Sequence, residues 1–203
     1  MAVLLLSLGM GALLDVVEEE PDQTEVAFIP TAGDPYDDAS FVEADREKLI
    51  KHGFAVTVVD LKGQTHEDLE AKLAGKDVVY VAGGNTFYLL EQVRASGFDR
   101  ILPRLLAEGT LYVGASAGAA ILGPSIAPYA KFDDPGAAPS LSSQEGLQIV
   151  NYVVIPHYSN EKFRPTFDEV MKAEDGRFEF RTLGDDEALF MSGDGTTKVI
   201  ASP

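Results

Sequence analysis

The 203-residue sequence contains no cysteine. That excludes disulfides, thiolate metal sites and a cysteine nucleophile, and it fits a reducing compartment. Positive charge is scarce: 16 lysines and arginines stand against 33 aspartates and glutamates, for a net charge of -17. A surface that acidic repels phosphate backbones, which argues against nucleic acid as a partner. No acidic block exceeds Glu18-Glu19-Glu20, so the charge reads as solubility rather than as a substrate signal. Long apolar runs are missing too. The apolar stretch from Met1 to Leu14 lacks a basic leading segment and a small-x-small cleavage site. It is also too short to cross a bilayer as a helix. It is expected to be a buried first strand of a cytoplasmic protein with no membrane partner.

What is present suits one α/β domain spanning residues 1–203, with 45% hydrophobic content for its core. No position marks the start of a second domain, and there is no internal repeat. Apolar runs at 3–7, 26–29, 55–61, 77–81, 111–113 and 153–155 read as strands. Helical spacing covers 12–19, 38–52, 65–73, 87–95, 98–108 and 162–172, with Thr65 as a cap and Pro165 in a first turn. Residues 187–192 and 197–201 read as a closing hairpin. Residues 123–146, with their prolines and small side chains, read as a long functional loop. The alternation predicts a doubly wound, mostly parallel sheet with helices on both faces, a three-layer sandwich of flavodoxin-like type. In such sheets ligands bind beyond the carboxyl ends of the strands.

One stretch at such an end carries chemistry. Gly114-Ala115-Ser116-Ala117-Gly118 follows an apolar strand and precedes an apolar, helix-forming run. The flanking glycines permit a sharp turn, and the turn projects the serine hydroxyl above the sheet. The following N–H groups can then stabilise an oxyanion beside it. A small-residue turn packing a helix onto a strand is the bland alternative.

The three histidines separate by context. His52 falls in the last turn of a polar helix and reads as a surface residue. His66 follows the Thr65 cap and reads as solvated. His157 ends an apolar strand directly after Pro156, on the same rim as Ser116, and is the candidate base. Its orienting acid can come from Asp185, Asp186 or Glu187 before the last hairpin, or from Asp133 or Asp134 in the long loop. An oxyanion site needs two donors: the Ala117 N–H and one from Gly83-Gly84, where glycine allows close backbone approach. Gly83-Gly84-Asn85 lacks the lysine and spacing of a phosphate loop.

Taken together, Gly83-Gly84-Asn85-Thr86-Phe87, Gly114-Ala115-Ser116-Ala117-Gly118-Ala119 and Ile155-Pro156-His157-Tyr158, in this order and spacing, resemble the S51 serine peptidases. That family includes aspartyl dipeptidase (peptidase E) and, more distantly, cyanophycinase. The resemblance implies a class I glutamine amidotransferase-like fold, with serine in place of cysteine. It implies cofactor-free hydrolysis of small peptides through an acyl-enzyme, with Ser116 as nucleophile, His157 as base and an oxyanion hole at Gly84 and Ala117. The family's acid matches Asp185 best. Recognition of an N-terminal aspartate by arginine would fall to Arg164, although the Gly-Glu-Thr-Arg surroundings of the aspartyl enzymes are missing here. A cyanophycinase-like isopeptide hydrolase, a catalytically silent flavodoxin-like binding module and a homo-oligomer burying one sheet edge stay open as expectations.

Overall fold

The computed structural model describes residues Met1–Pro203. Its order is β1 (Ala2–Leu6), α1 (Gly11–Val16), β2 (Glu25–Ile29), α2 (Ser40–Lys51), β3 (Ala55–Val58), α3 (His66–Leu73), β4 (Val78–Val81), α4 (Thr86–Ser96), α5 (Phe98–Glu108) and β5 (Leu111–Ala115). Then follow α6 (Ala117–Ala120), β6 (Tyr152–Ile155), α7 (Arg164–Ala173), β7 (Glu179–Thr182), β8 (Glu187–Met191) and β9 (Thr197–Ala201). Seven strands form one sheet in the order β3-β2-β4-β5-β1-β8-β9. The first five are parallel, while β8 runs antiparallel to both β1 and β9. The sheet is mostly parallel, as the alternating pattern predicts.

Period-two alternation divides the core. Val3 and Leu5 of β1, Val79 and Val81 of β4 and Tyr112 of β5 face a layer built by α3, α4, α5 and α6. Leu4 and Leu6, Val78 and Tyr80, Leu111 and Val113 face the opposite layer, with α1 and α2. Both faces of the central strands are therefore dry, which explains their unbroken apolar sequences. Each such side chain contributes about 1.5–3 kcal/mol of burial. No helix is long and apolar enough to cross a membrane.

The structure departs from the sequence pattern at several points. β6 does not join the main sheet; it pairs in parallel with β7 in a separate two-stranded sheet. β7 itself went unread because Glu179-Phe180-Arg181-Thr182 is polar and largely exposed, with no apolar period. The helix after Ser116 lasts only four residues before the long loop begins. That loop is irregular but tied down. Arg94 donates to the Ser143 and Glu145 carbonyls, and Asn85 Nδ2 donates to the Asp134 carbonyl at 3.0 Å. His66 is half-buried rather than solvated, with Nδ1 3.4 Å from the Gly97 carbonyl. The Thr65 cap is present, as a capping box with Asp68.

Strand register assembles the site. Leu6 pairs with Ala115 and with Ala188, and Val81 pairs with Gly114. The carboxyl ends of β1, β4 and β5 and the start of β8 therefore meet at one rim. Ser7, Gly83-Gly84, Ser116 and Asp185 lie just beyond them.

Candidate active site

Ser116 sits between β5 and α6 with φ 49° and ψ -104°, a conformation that non-glycine residues rarely adopt. The Ser116 N–H donates to the Leu6 carbonyl at 3.0 Å, anchoring the turn to the neighbouring strand. The turn also depends on close backbone approach. A Cβ on Gly118 would lie 2.3 Å from the Val81 carbonyl oxygen, and one on Gly114 would lie 2.4 Å from that of Gly118. The buried Tyr112 hydroxyl donates to the Gly118 carbonyl at 2.7 Å, and burial pushes its ionisation well above the ordinary phenol range. Strain of this kind costs about 1–3 kcal/mol and is held by the surrounding bonds.

His157 closes the gap to this serine. Its Nε2 lies 3.0 Å from Ser116 Oγ, and its Nδ1 lies 2.8 Å from Asp185 Oδ1. An ionised carboxylate only accepts, so Nδ1 carries the proton and Nε2 is left to accept from the hydroxyl. The imidazole and carboxylate are 23% and 35% exposed, so the relay is half-shielded from solvent. His157 also has a positive φ, 59°, and its N–H donates to Ser7 Oγ at 2.7 Å. Asp185 is held in turn: its N–H donates to Ser159 Oγ at 2.9 Å, and its carbonyl accepts from the Gly9 N–H at 2.9 Å.

None of the other candidate acids hydrogen-bonds the imidazole. Glu187 Oε2 accepts from the Gly184 N–H at 2.8 Å, and Asp134 Oδ1 accepts from the Gly136 N–H at 2.8 Å. Asp186 offers its carbonyl to the Ser202 N–H and makes no contact with the imidazole. Asp133 Oδ2 accepts from the Thr86 N–H at 2.9 Å. Asp133 is pushed above the usual carboxylate range, chiefly by burial, with the Thr86 bond and the charge of His157 opposing.

Gly84 has φ 144°, and a Cβ there would lie 2.1 Å from the Ala32 carbonyl oxygen. Only glycine fits this approach. The N–H groups of Gly84 and Ala117 have no acceptor within the protein. Both residues line a cavity of about 660 Å³ together with Ser116, His157 and Asp133. Two unpaired donors beside a hydroxyl–imidazole pair can receive a developing oxyanion.

Arg164 does not line this cavity. It opens α7 with its guanidinium over the Tyr158 ring, 5.1 Å from the centroid. The lining cations are Lys131, paired with Glu169 at 3.2 Å, and Lys162. Sequence reasoning missed Ser7 and Ser159. The only local signal for Ser7 was a polar residue ending an apolar strand, and Ser159 carried none beyond its nearness to His157.

The chain is similar to known peptidases over most of its length. An uncharacterized peptidase of Listeria monocytogenes is 33% identical over 168 residues, covering 83% of this chain and 82% of that one. A peptidase E of Haemophilus influenzae is 30% identical over 139 residues, covering 68% of this chain and 60% of its own length. Among solved structures, a candidate peptidase E of Listeria monocytogenes EGD-e superposes with a TM-score of 0.90 over 98% of both chains, at 29% identity. A peptidase from an acI-B1 Actinobacterium shares the fold, with a TM-score of 0.71 over 98% of this chain and 87% of that one, at 16% identity. Residues 10–199 match the model of peptidase family S51. Matched over nearly its whole length, the chain belongs to peptidase family S51.

Proposed function

We propose that this protein is a serine peptidase that hydrolyses dipeptides or short peptides through an acyl-enzyme. One observation carries the reading: the continuous contact from Asp185 through His157 to Ser116, at 2.8 and 3.0 Å, beside two unpaired N–H groups. Ser116 Oγ attacks the scissile carbonyl carbon and passes its proton to His157 Nε2. The carbonyl oxygen takes the negative charge against the Gly84 and Ala117 N–H groups. Collapse breaks the C–N bond, and His157 returns the proton to the leaving amine. A water then attacks the acyl-enzyme, with His157 again as base, and the serine is released. Asp185 holds the imidazole tautomer and stabilises the transient imidazolium.

The carboxylate of Asp133, lining the same cavity, suits a substrate's free α-ammonium group. That supports cleavage from the amino end. The chain acts as one catalytic unit on small peptides in a reducing, cytoplasmic setting. Ser116→Ala, assayed on Asp-X and other dipeptides, is expected to lose at least about 10³-fold in kcat. Unchanged turnover would eliminate the proposal.

A further inference from the structure

The cavity wall next to the imidazole is aromatic. Phe163 lies 6.4 Å from His157, centroid to centroid, at 61°. Phe132 meets Phe163 edge-on at 6.1 Å and stacks on Phe167 at 3.9 Å. Phe167 is 3% exposed and forms the floor of this group, while Phe132 and Phe163 are only half-buried. At the rim, Tyr36 and Phe41 meet edge-on at 5.7 Å yet stay 41% and 43% exposed. Large aromatic rings left half-wet around a concave site are surface that an apolar ligand covers.

Charge in the cavity points the same way. An acidic side chain is best held by a guanidinium fork. The arginine nearest in sequence, Arg164, lies over Tyr158 outside the lining. Lys131 is committed to Glu169, and Lys162 extends over the Phe163 ring at 5.9 Å. Asp133 meanwhile adds negative charge to the cavity. A side-chain carboxylate placed beside the scissile bond would meet repulsion there and no fork.

We infer that the site takes short peptides bearing an aromatic or large aliphatic side chain next to the scissile bond and rejects acidic ones, with Phe163 and Phe132 as specificity-determining residues. The inference rests on the peptidase reading of the same site. Phe163 is placed for this by its position just before α7, whose first turn is fixed by Pro165.

The test is kcat/KM over a matrix of dipeptides with Ala, Leu, Phe or Asp at each position. The best Phe or Leu peptide is expected to exceed Ala-Ala and every Asp-containing peptide by about 10–100-fold. Phe163→Ala should cut the Phe-to-Ala ratio about tenfold, and Phe163→Leu should keep most of it. Phe132→Ala is the second variant, with circular dichroism checking that each is folded. An Asp peptide as best substrate, or a Phe-to-Ala ratio that survives both alanine variants, overturns the inference. Labelling of Ser116 by a fluorophosphonate separates the two levels. An enzyme that labels but prefers Asp peptides overturns only the specificity, whereas one that neither labels nor cleaves any peptide overturns the peptidase reading with it.

Discussion

The hydroxyl of Ser7 accepts a hydrogen bond from the backbone N–H of His157 at 2.7 Å, joining the end of β1 to a residue 150 positions later. This bond links the main sheet to the separate β6–β7 pair on which the imidazole is carried. Ser7 is 1% exposed, and removing its hydroxyl takes away the protein acceptor of this N–H. An unpaired buried donor costs about 1–3 kcal/mol. Ser7→Ala should therefore lower kcat about tenfold, through misplacement of the imidazole, with KM nearly unchanged. A matched loss in KM alone would mean that Ser7 acts on substrate rather than on His157.

Ser116 stores backbone strain at φ 49° and ψ -104°. Glycine relieves it, whereas alanine does not. Ser116→Gly should be more stable than Ser116→Ala by about 1–2 kcal/mol, although both lack the hydroxyl. Chemical denaturation of the two variants side by side measures the difference. Equal stabilities would mean that the turn is unstrained.

Gly84 allows no side chain. The Cβ of Gly84→Ala would fall 2.1 Å from the Ala32 carbonyl oxygen, at a φ of 144°. The variant should lose about 2–4 kcal/mol of stability. Where it still folds, kcat should fall because the N–H at this position is displaced.

Asp133 links pH to stability. Burial raises its pKa in the folded protein, so the native state binds the proton more readily than the unfolded chain does. Its destabilising effect is absent below the ordinary carboxylate range. It grows as pH rises through the window between the ordinary and the raised value, and it is complete above that window. Asp133→Asn keeps an acceptor for the Thr86 N–H and removes the charge. The variant should be more stable than wild type above that window, with the gain vanishing as pH falls below the ordinary carboxylate range. KM for unblocked dipeptides should rise, because the ammonium loses its partner. A gain in stability that is independent of pH would contradict the assignment.

Much of this arrangement was legible from local pattern. The central strands announce themselves because both faces are dry. Ser116 stands out because glycines flank it at the end of such a strand. The candidate rim residues His157, Gly84 and Asp185 each lie at a strand end or a turn, and the structure brings them to Ser116. What escaped is what has no period or is made by distant parts. β7 is too polar to read as a strand. The aromatic wall draws on residues 36, 41, 132, 163 and 167, which no local window unites. Arg164 looks in sequence like a carboxylate clamp, but the neighbouring Tyr158 ring captures its guanidinium. Ser7 is an unremarked serine until His157 arrives over it.

The account stands on a hydroxyl made nucleophilic by its neighbours. Its most direct test is the rate of fluorophosphonate labelling, with the adduct located by peptide mapping, in wild type, His157→Gln and Asp185→Asn. The account predicts stoichiometric modification of Ser116 in wild type. It predicts slowing by at least about 10³-fold without the imidazole and by a large factor when Asp185 can no longer hold the tautomer. Modification at another residue, or equal rates in all three proteins, would contradict it.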